Sequence, residues 1–142
     1  MNKMAKEIHS FCIMHSTGVP IYQKHFTKEF MDLDFTMITS LFSALIQFAQ
    51  KVTKNSLDVL DMGEYRLMLH PFKDSILNVI ITKTTTSVLL IKDRISKIER
   101  EIENLVDVEA HCLSCEVISN SELDDKLEEI VNFEEIDDHI IN

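Results

Sequence analysis

Glycine and proline are both scarce in this chain of 142 residues, which contains two of each. Flexible linkers are rich in glycine, serine or proline, so we place no internal boundary in the chain. We predict a single domain over residues 1–142, ending in an acidic C-terminal helix and tail over residues 119–142. The same scarcity excludes the glycine-rich loops that hold phosphates and the glycine-bearing loop that binds calcium.

Long apolar runs are absent as well. A membrane-spanning helix needs about 20 consecutive apolar residues, and the longest candidate, residues 35–49, is interrupted by threonines and serines. The N-terminus has lysines but no apolar core of the signal-peptide type. The expected location is therefore the cytoplasm. Three cysteines, an odd number without framework spacing, also argue against a secreted disulfide scaffold.

Positive charge is in short supply. The net charge is −10, and residues 119–142 carry nine acidic residues and one lysine. Nucleic-acid binding is disfavoured because phosphate contacts require a basic face. The acidic C-terminal helix is either a solvated face or a docking surface for a basic partner.

The first half of the chain predicts a hairpin followed by a helix. Residues 8–15 are apolar on both strand faces, which indicates a central strand covered on both sides. Residues 21–26 are more polar and follow Pro20, which is typical of an edge strand. Gly18, in the turn between the two strands, is expected to supply a positive φ angle.

The helix that follows should begin near Asp32 or Asp34 and run to Val52. Its sheet-facing side is predicted from apolar positions spaced three and four apart: Ile38, Leu41, Phe42, Leu45, Phe48, Ala49 and Val52. The opposite face would carry Thr39, Ser43, Gln47, Gln50 and Lys51. Met37, Ala44 and Ile46 widen the apolar stripe, so its margin is either further core packing or a contact surface.

Three further strands, residues 56–62, 65–71 and 75–82, are joined by short connections and should form an antiparallel meander. The third of these strands is the most apolar and should lie beside the first strand of the chain. A second long helix then spans Val88 to about Val106. Its sheet-facing positions repeat at intervals of three and four: Val88, Ile91, Ile95, Ile98, Ile102 and Leu105.

The remainder is less regular. Residues 106–119 are compatible with a loop, a helix end or a short strand. A capping signal at residues 119–122 precedes a third helix with a narrow apolar stripe, made of Leu123, Leu127, Ile130 and Val131. The element order β-β-α-β-β-β-α-α predicts an α+β fold, in which a five-stranded antiparallel sheet has one helix on one face and the later helices on the other.

This order resembles the longin domain, a profilin-like α/β/α sandwich, and the related roadblock domains. The resemblance is carried by the strand-turn-strand of residues 13–22, the helix segment 38–48, the apolar strand 77–81 and the closing helix. Roadblock domains usually place an extra helix before the first strand, and the few residues available here favour the longin arrangement. Archaeal single-domain proteins of this kind are the most similar type.

The resemblance implies a non-enzymatic protein-interaction module without a cofactor. Longin-type domains occur in vesicle-trafficking adaptors and roadblock-type domains bind small Ras-like GTPases. Both tend to form homodimers or heterodimers. The predicted interaction surfaces are the edge of the second strand and the margin of the first helix, with these residues: Ile21, Tyr22, Gln23, Lys24, His25, Thr39, Ser43, Ile46 and Gln47.

Two alternatives belong to other classes. A small-molecule-sensing module would need a cavity between sheet and helix, whereas four bulky side chains indicate a filled core: Phe42, Phe48, Ile80 and Ile81. A zinc protein would use His111, Cys112 and Cys115, joined by Cys12 and His15. Cys12 and His15 are three apart on a strand and point to opposite faces, which argues against that zinc site. No spacing indicates a catalytic triad, and we predict no catalytic residues.

Overall fold

The structure, a computed structural model, describes residues 7–32, 35–48, 51, 59–73, 75–114 and 116–132. Five strands and four helices occur in these ranges. In chain order they are β1 (Ile8–His15), β2 (Pro20–His25), α1 (Phe35–Phe48), β3 (Val59–Met62), β4 (Tyr65–Lys73), β5 (Ile76–Lys83), α2 (Val88–Leu105), α3 (Val108–Ser114) and α4 (Ser121–Asn132).

The strands form one sheet in the order β2-β1-β5-β4-β3, and every neighbouring pair is antiparallel. The predicted fold class is confirmed. β1 lies between β2 and β5, because a strand that is apolar on both faces is most stable where both faces are covered. β2 lies at one edge of the sheet, as predicted, and β3 at the other.

The two faces of the sheet pack against different helices. Cys12 and Met14 belong to the core cluster beneath α1, and Phe11 and Ile13 to the cluster beneath α2, α3 and α4. An irregularity in the pairing of β1 with β5 after Ile8 places that side chain in the same cluster as Phe11. Alternation along β1 therefore supplies both layers of the core.

Two of the C-terminal helices begin at side-chain caps, and the second of these caps lies within the predicted capping signal at residues 119–122. The Ser87 side chain accepts a hydrogen bond from the Leu90 amide at the start of α2, and Asn120 Oδ1 accepts one from the Leu123 amide at the start of α4. The four central isoleucines of the predicted α2 stripe are buried, and so is Arg94 on the same helix. Residues 106–119, left open by the sequence, contain α3 and, over residues 116–119, a stretch without regular secondary structure.

Several boundaries differ from the prediction by a few residues. β2 begins at Pro20, β4 continues to Lys73, and β5 continues to Lys83. Asp32 lies in a turn rather than at the start of α1. Asp34, Ala49, Gln50, Val52 and residues 56–58 lie outside the described residues.

The turn between β1 and β2 requires glycine, as predicted. Gly18 has a φ of +103°, and a Cβ built on it would lie 3.2 Å from the Cα of Ser40 in α1. Gly63, in the turn between β3 and β4, has a φ of +62° and open space around the position of a Cβ. One glycine is therefore restricted both by its backbone angle and by the approach of α1, and the other by its angle alone.

Alanine substitutions at the two glycines distinguish the effect of the positive φ angle from the effect of the contact with α1. Gly63→Ala should cost about 1 kcal/mol, because it places a side chain in the left-handed region. Gly18→Ala should cost about 2–3 kcal/mol, because the new methyl also meets the α1 backbone and the angle is less favourable. Urea unfolding of the two variants and the parent measures the difference. Equal losses would show that α1 does not restrict the turn.

Candidate protein-interaction surfaces

The hairpin turn is bound to α1 by two side-chain hydroxyls. Thr39 Oγ1 donates to the carbonyl oxygen of Gly18 at 2.6 Å, and Ser43 Oγ donates to that of Ser16 at 2.6 Å. Thr39 is 0% exposed and Ser43 4%. These two side chains were predicted on the exposed face of the helix, and that placement is wrong. They supply hydrogen-bond donors to two carbonyl oxygens of the turn, one on buried Gly18 and one on half-buried Ser16.

The other two candidates on α1 lie in different surroundings. Ile46 is partly buried against the core cluster beneath α1. Gln47 is exposed, and its Nε2 donates to Ser43 Oγ at 3.3 Å. Of the four residues predicted on this helix, Gln47 alone is classed as exposed.

The outward face of α1 is instead apolar. Met37 is 71% exposed, Leu41 55% and Phe48 60%, and Ala44 is exposed between them. These four residues, the α1 stripe, are spaced four, three and four apart and therefore lie on one side of the helix. Leu41 and Phe48 were predicted to face the sheet, and that prediction is wrong. Phe42, Ile80 and Ile81 are buried as predicted, so Phe48 is the exception among the four residues of the filled core.

The sequence contained one signal for this face. No charged residue occurs between residues 35 and 48, whereas the solvent-facing side of a surface helix normally carries charge. Without charges, apolar spacing alone did not distinguish the two sides of α1. The side that packs inward is the one whose hydroxyls bind the hairpin turn.

The edge of β2 is covered by the chain itself. The backbone amide of Ile118 donates to the carbonyl oxygen of Ile21 at 2.8 Å, as a neighbouring strand would. The Tyr22 hydroxyl donates to Asp124 in α4 at 2.6 Å. Burial, and then this hydrogen bond, raise the pKa of Tyr22 well above its usual value. The predicted edge therefore offers less free backbone than the sequence indicated.

The remaining β2 candidates are also engaged in part. Lys24 forms an ion pair with Glu128 of α4 at 3.2 Å, so the acidic C-terminal helix uses one of its carboxylates within the chain. His25 is half-buried, and its Nδ1 lies 2.8 Å from Ser10 Oγ. Gln23 is exposed. Ile21 and Tyr22 are 2% and 3% exposed, which leaves them little surface for a partner.

The opposite edge of the sheet is apolar and exposed. Val59 and Met62, at the two ends of β3, are 39% and 49% exposed. Within the described part of the chain, no further strand pairs with the outer edge of β3. Arg66 on β4 binds Asp61 on β3 through two nitrogen–oxygen contacts of 2.7 and 3.1 Å, which hold this short strand to the sheet.

The cysteine and histidine candidates do not form a ligand cluster in the described residues, where no group of three potential metal ligands occurs. Cys12 is buried beneath α1, and burial raises the pKa of its thiol to about 12. His111 Nδ1 lies 3.3 Å from the carbonyl oxygen of Glu116, and Cys112 is half-buried. Cys115 lies outside the described residues.

His9 is a buried titratable group that the sequence did not single out. It is 4% exposed, and its Nδ1 lies 2.8 Å from Thr27 Oγ1. Its ring meets those of Phe30 and Tyr65 edge to face, with centroids 5.7 and 5.5 Å away. Burial lowers the pKa of His9, and the opposing effect of nearby Glu29 is smaller. The folded protein therefore favours the neutral imidazole.

Stability should consequently fall as the pH is lowered from 8 towards 5.5. The unfolded chain takes up a proton at His9 near pH 6.5, whereas the folded protein resists this until a lower pH, so the contribution present above pH 6.5 is lost in acid. Burial lowers the pKa of His25 as well, so both groups act in the same direction. Urea midpoints across this range should decline less steeply in His9→Phe, which keeps an aromatic ring at this position and cannot titrate. An unchanged slope would show that His9 does not contribute.

These features define a class of fold. A five-stranded antiparallel sheet of order β2-β1-β5-β4-β3, with a helix on one face and helices on the other, is the fold shared with solved structures of MglB and of a roadblock/LC7 domain. Comparison with protein families and with curated sequences finds no match, so the assignment is structural.

Three of the solved structures that it resembles are as follows. MglB of Myxococcus xanthus is 18% identical, with a TM-score of 0.55 over 73% of this chain and 86% of that one. The roadblock/LC7 domain from Streptomyces avermitilis is 7% identical, with a TM-score of 0.54 over 73% and 92%. The gliding protein MglB from Thermus thermophilus is 10% identical, with a TM-score of 0.51 over 92% and 90%. At these identities the similarity establishes the fold.

Among the helices that the structure describes, none is long and apolar enough to span a membrane.

Proposed function

We propose that this protein is a cytoplasmic interaction module that binds partner proteins through the α1 stripe. The carrying observation is the exposure of Met37, Leu41 and Phe48 on a helix without charge. Such side chains lose contact with water when a partner covers them, and this favours association by about 25 cal/mol for each Å² of apolar surface. Binding, rather than catalysis, is the role that this surface supports.

The fold indicates the class of partner. Roadblock-type domains bind small Ras-like GTPases and tend to dimerise, and two of the similar structures are MglB proteins, one of them described as a gliding protein. We therefore assign the α1 stripe to a second roadblock- or longin-type subunit, or to a small Ras-like GTPase, in an adaptor or regulatory role. A trafficking-type assembly is the other setting in which longin-type domains act.

The stripe replaces the β2 edge as the principal surface in this proposal. The edge that the sequence indicated is covered near Ile21 by the chain's own Ile118, and Lys24 is paired with Glu128. Gln23 is left as a peripheral contact on that side. Strand addition to β2 would first have to displace these internal contacts.

A charged residue in the stripe should weaken association strongly. Leu41→Glu places a carboxylate at the centre of the stripe and should weaken binding at least 30-fold, which is typical of a residue at the centre of an interface. The matched control is Leu89→Glu on α2, because Leu89 is 80% exposed and lies outside the stripe. Both positions are exposed, so the fold should be retained.

Two measurements distinguish the partners. Light scattering across a concentration series reports self-association, and capture of Ras-like GTPases loaded with GDP or a GTP analogue reports regulation. Loss of either association in Leu41→Glu alone supports the stripe as the interface. A monomer that captures no GTPase in either nucleotide state, or equal effects of the two substitutions, would overturn the proposal.

A further inference from the structure

The helices leave part of one sheet face uncovered. On the face opposite α1, α4 lies over β2, where Asp124 binds Tyr22 and Glu128 binds Lys24. α2 packs against the middle of the sheet. Over β4 and β3 the described residues provide no further helix, and a groove of about 460 Å³ lies between these strands and the flank of α2. This volume is within the range of small-molecule sites, about 300–1,000 Å³.

The side of the groove that is formed by the sheet is apolar. Val59 of β3 and Met68 of β4 are paired across the two strands and so project to the same side of the sheet. The side opposite the sheet is formed by α2. Its lining residues are three or four positions apart, or adjacent, and so lie on one flank of the helix: Val88, Lys92, Ile95 and Ser96.

One lining residue is a histidine whose position is fixed from behind. His70 Nδ1 lies 2.7 Å from Glu99 Oε2, and the same oxygen accepts a hydrogen bond from Asn78 Nδ2 at 2.7 Å. Asn78 is 1% exposed, so a buried amide positions the carboxylate that in turn orients the imidazole. Glu99 engages Nδ1, so Nε2 is the ring nitrogen that remains for a ligand.

The groove carries a positive charge in a protein of net negative charge. The chain carries a net charge of −10, yet the ionisable side chains lining the groove, among the described residues, are Lys92 and His70, with Glu99 behind the histidine. Lys92 forms no ion pair within the described residues. An anionic group is thus complemented here, beside an apolar floor that can hold a hydrocarbon chain.

We propose that this groove binds a small amphipathic carboxylate of the medium-chain fatty-acid type. The carboxylate binds Lys92 and the Ser96 hydroxyl beside His70, and the hydrocarbon chain lies along Val59 and Met68. The site is on the face of the sheet opposite the α1 stripe, so it does not depend on the function proposed above.

Titration of the full-length protein with sodium decanoate, followed by calorimetry and amide chemical shifts, tests this assignment. Saturable binding is expected, with shifts confined to β3, β4 and the first half of α2. Hexanoate, octanoate and decanoate should bind with affinities that rise by about fourfold for each methylene buried. No saturation at millimolar concentration, no dependence on chain length, or shifts centred on α1 would overturn the proposal.

Substitutions in the groove test where the carboxylate binds and whether the hydrocarbon chain occupies the groove. Lys92→Gln should weaken decanoate about fivefold, as expected for an exposed charge pair, and leave decanol unchanged. Lys97→Gln is the matched control, because Lys97 is on the same helix, pairs with Asp93 at 3.2 Å and does not line the groove. Ser96→Phe fills the groove from an exposed position and should abolish binding of both compounds.

Equal effects of the two lysine substitutions would overturn the assignment of the carboxylate. Shifts at the same amides on concentrating the protein without ligand would show that a second copy covers the groove, and would overturn the proposal as well.

Discussion

The docking of one β-turn onto one helix determines how the α1 side of this protein is built. Two carbonyl oxygens of the turn, at Ser16 and Gly18, accept hydrogen bonds of 2.6 Å from hydroxyls of α1. The absence of a side chain at Gly18 lets the helix approach within contact distance. A rotation of α1 about its axis would break both hydrogen bonds and leave the carbonyl oxygen of buried Gly18 without a partner, at a cost of about 1–3 kcal/mol. The exposure of the α1 stripe therefore follows from contacts made on the other side of the helix.

Burial periodicity predicted most of the fold. Two patterns have only one structural interpretation. A strand with apolar residues on both faces must be covered on both sides, as β1 is, and isoleucines spaced three and four apart must lie on one buried helix face, as in α2. The sheet order followed from these two elements and from short connections. The positive φ of Gly18 was also predictable, because glycine is the residue of this turn that adopts such an angle without strain.

The candidate surfaces were less predictable, because they depend on contacts between distant parts of the chain. Thr39 and Gly18 are 21 residues apart, and Tyr22 and Asp124 are 102 apart. Neither pair leaves a local signature. On α1 the apolar pattern was compatible with two rotations, and polar hydroxyls rather than apolar contacts decided between them. The prediction that hydroxyl-bearing residues face solvent is reasonable on average, and it fails where a buried turn needs hydrogen-bond donors.

The contact between Ile118 and Ile21 has a consequence for synthesis on the ribosome. β2 is made early, but the segment that covers its edge emerges about 100 residues later, or roughly 5–20 s at ordinary translation rates. During that interval the hairpin exposes unpaired backbone groups to other nascent chains. Until then, the polar residues Gln23, Lys24 and His25 disfavour pairing of this edge strand with strands of other chains. These side chains thus protect a surface that the finished protein covers by other means.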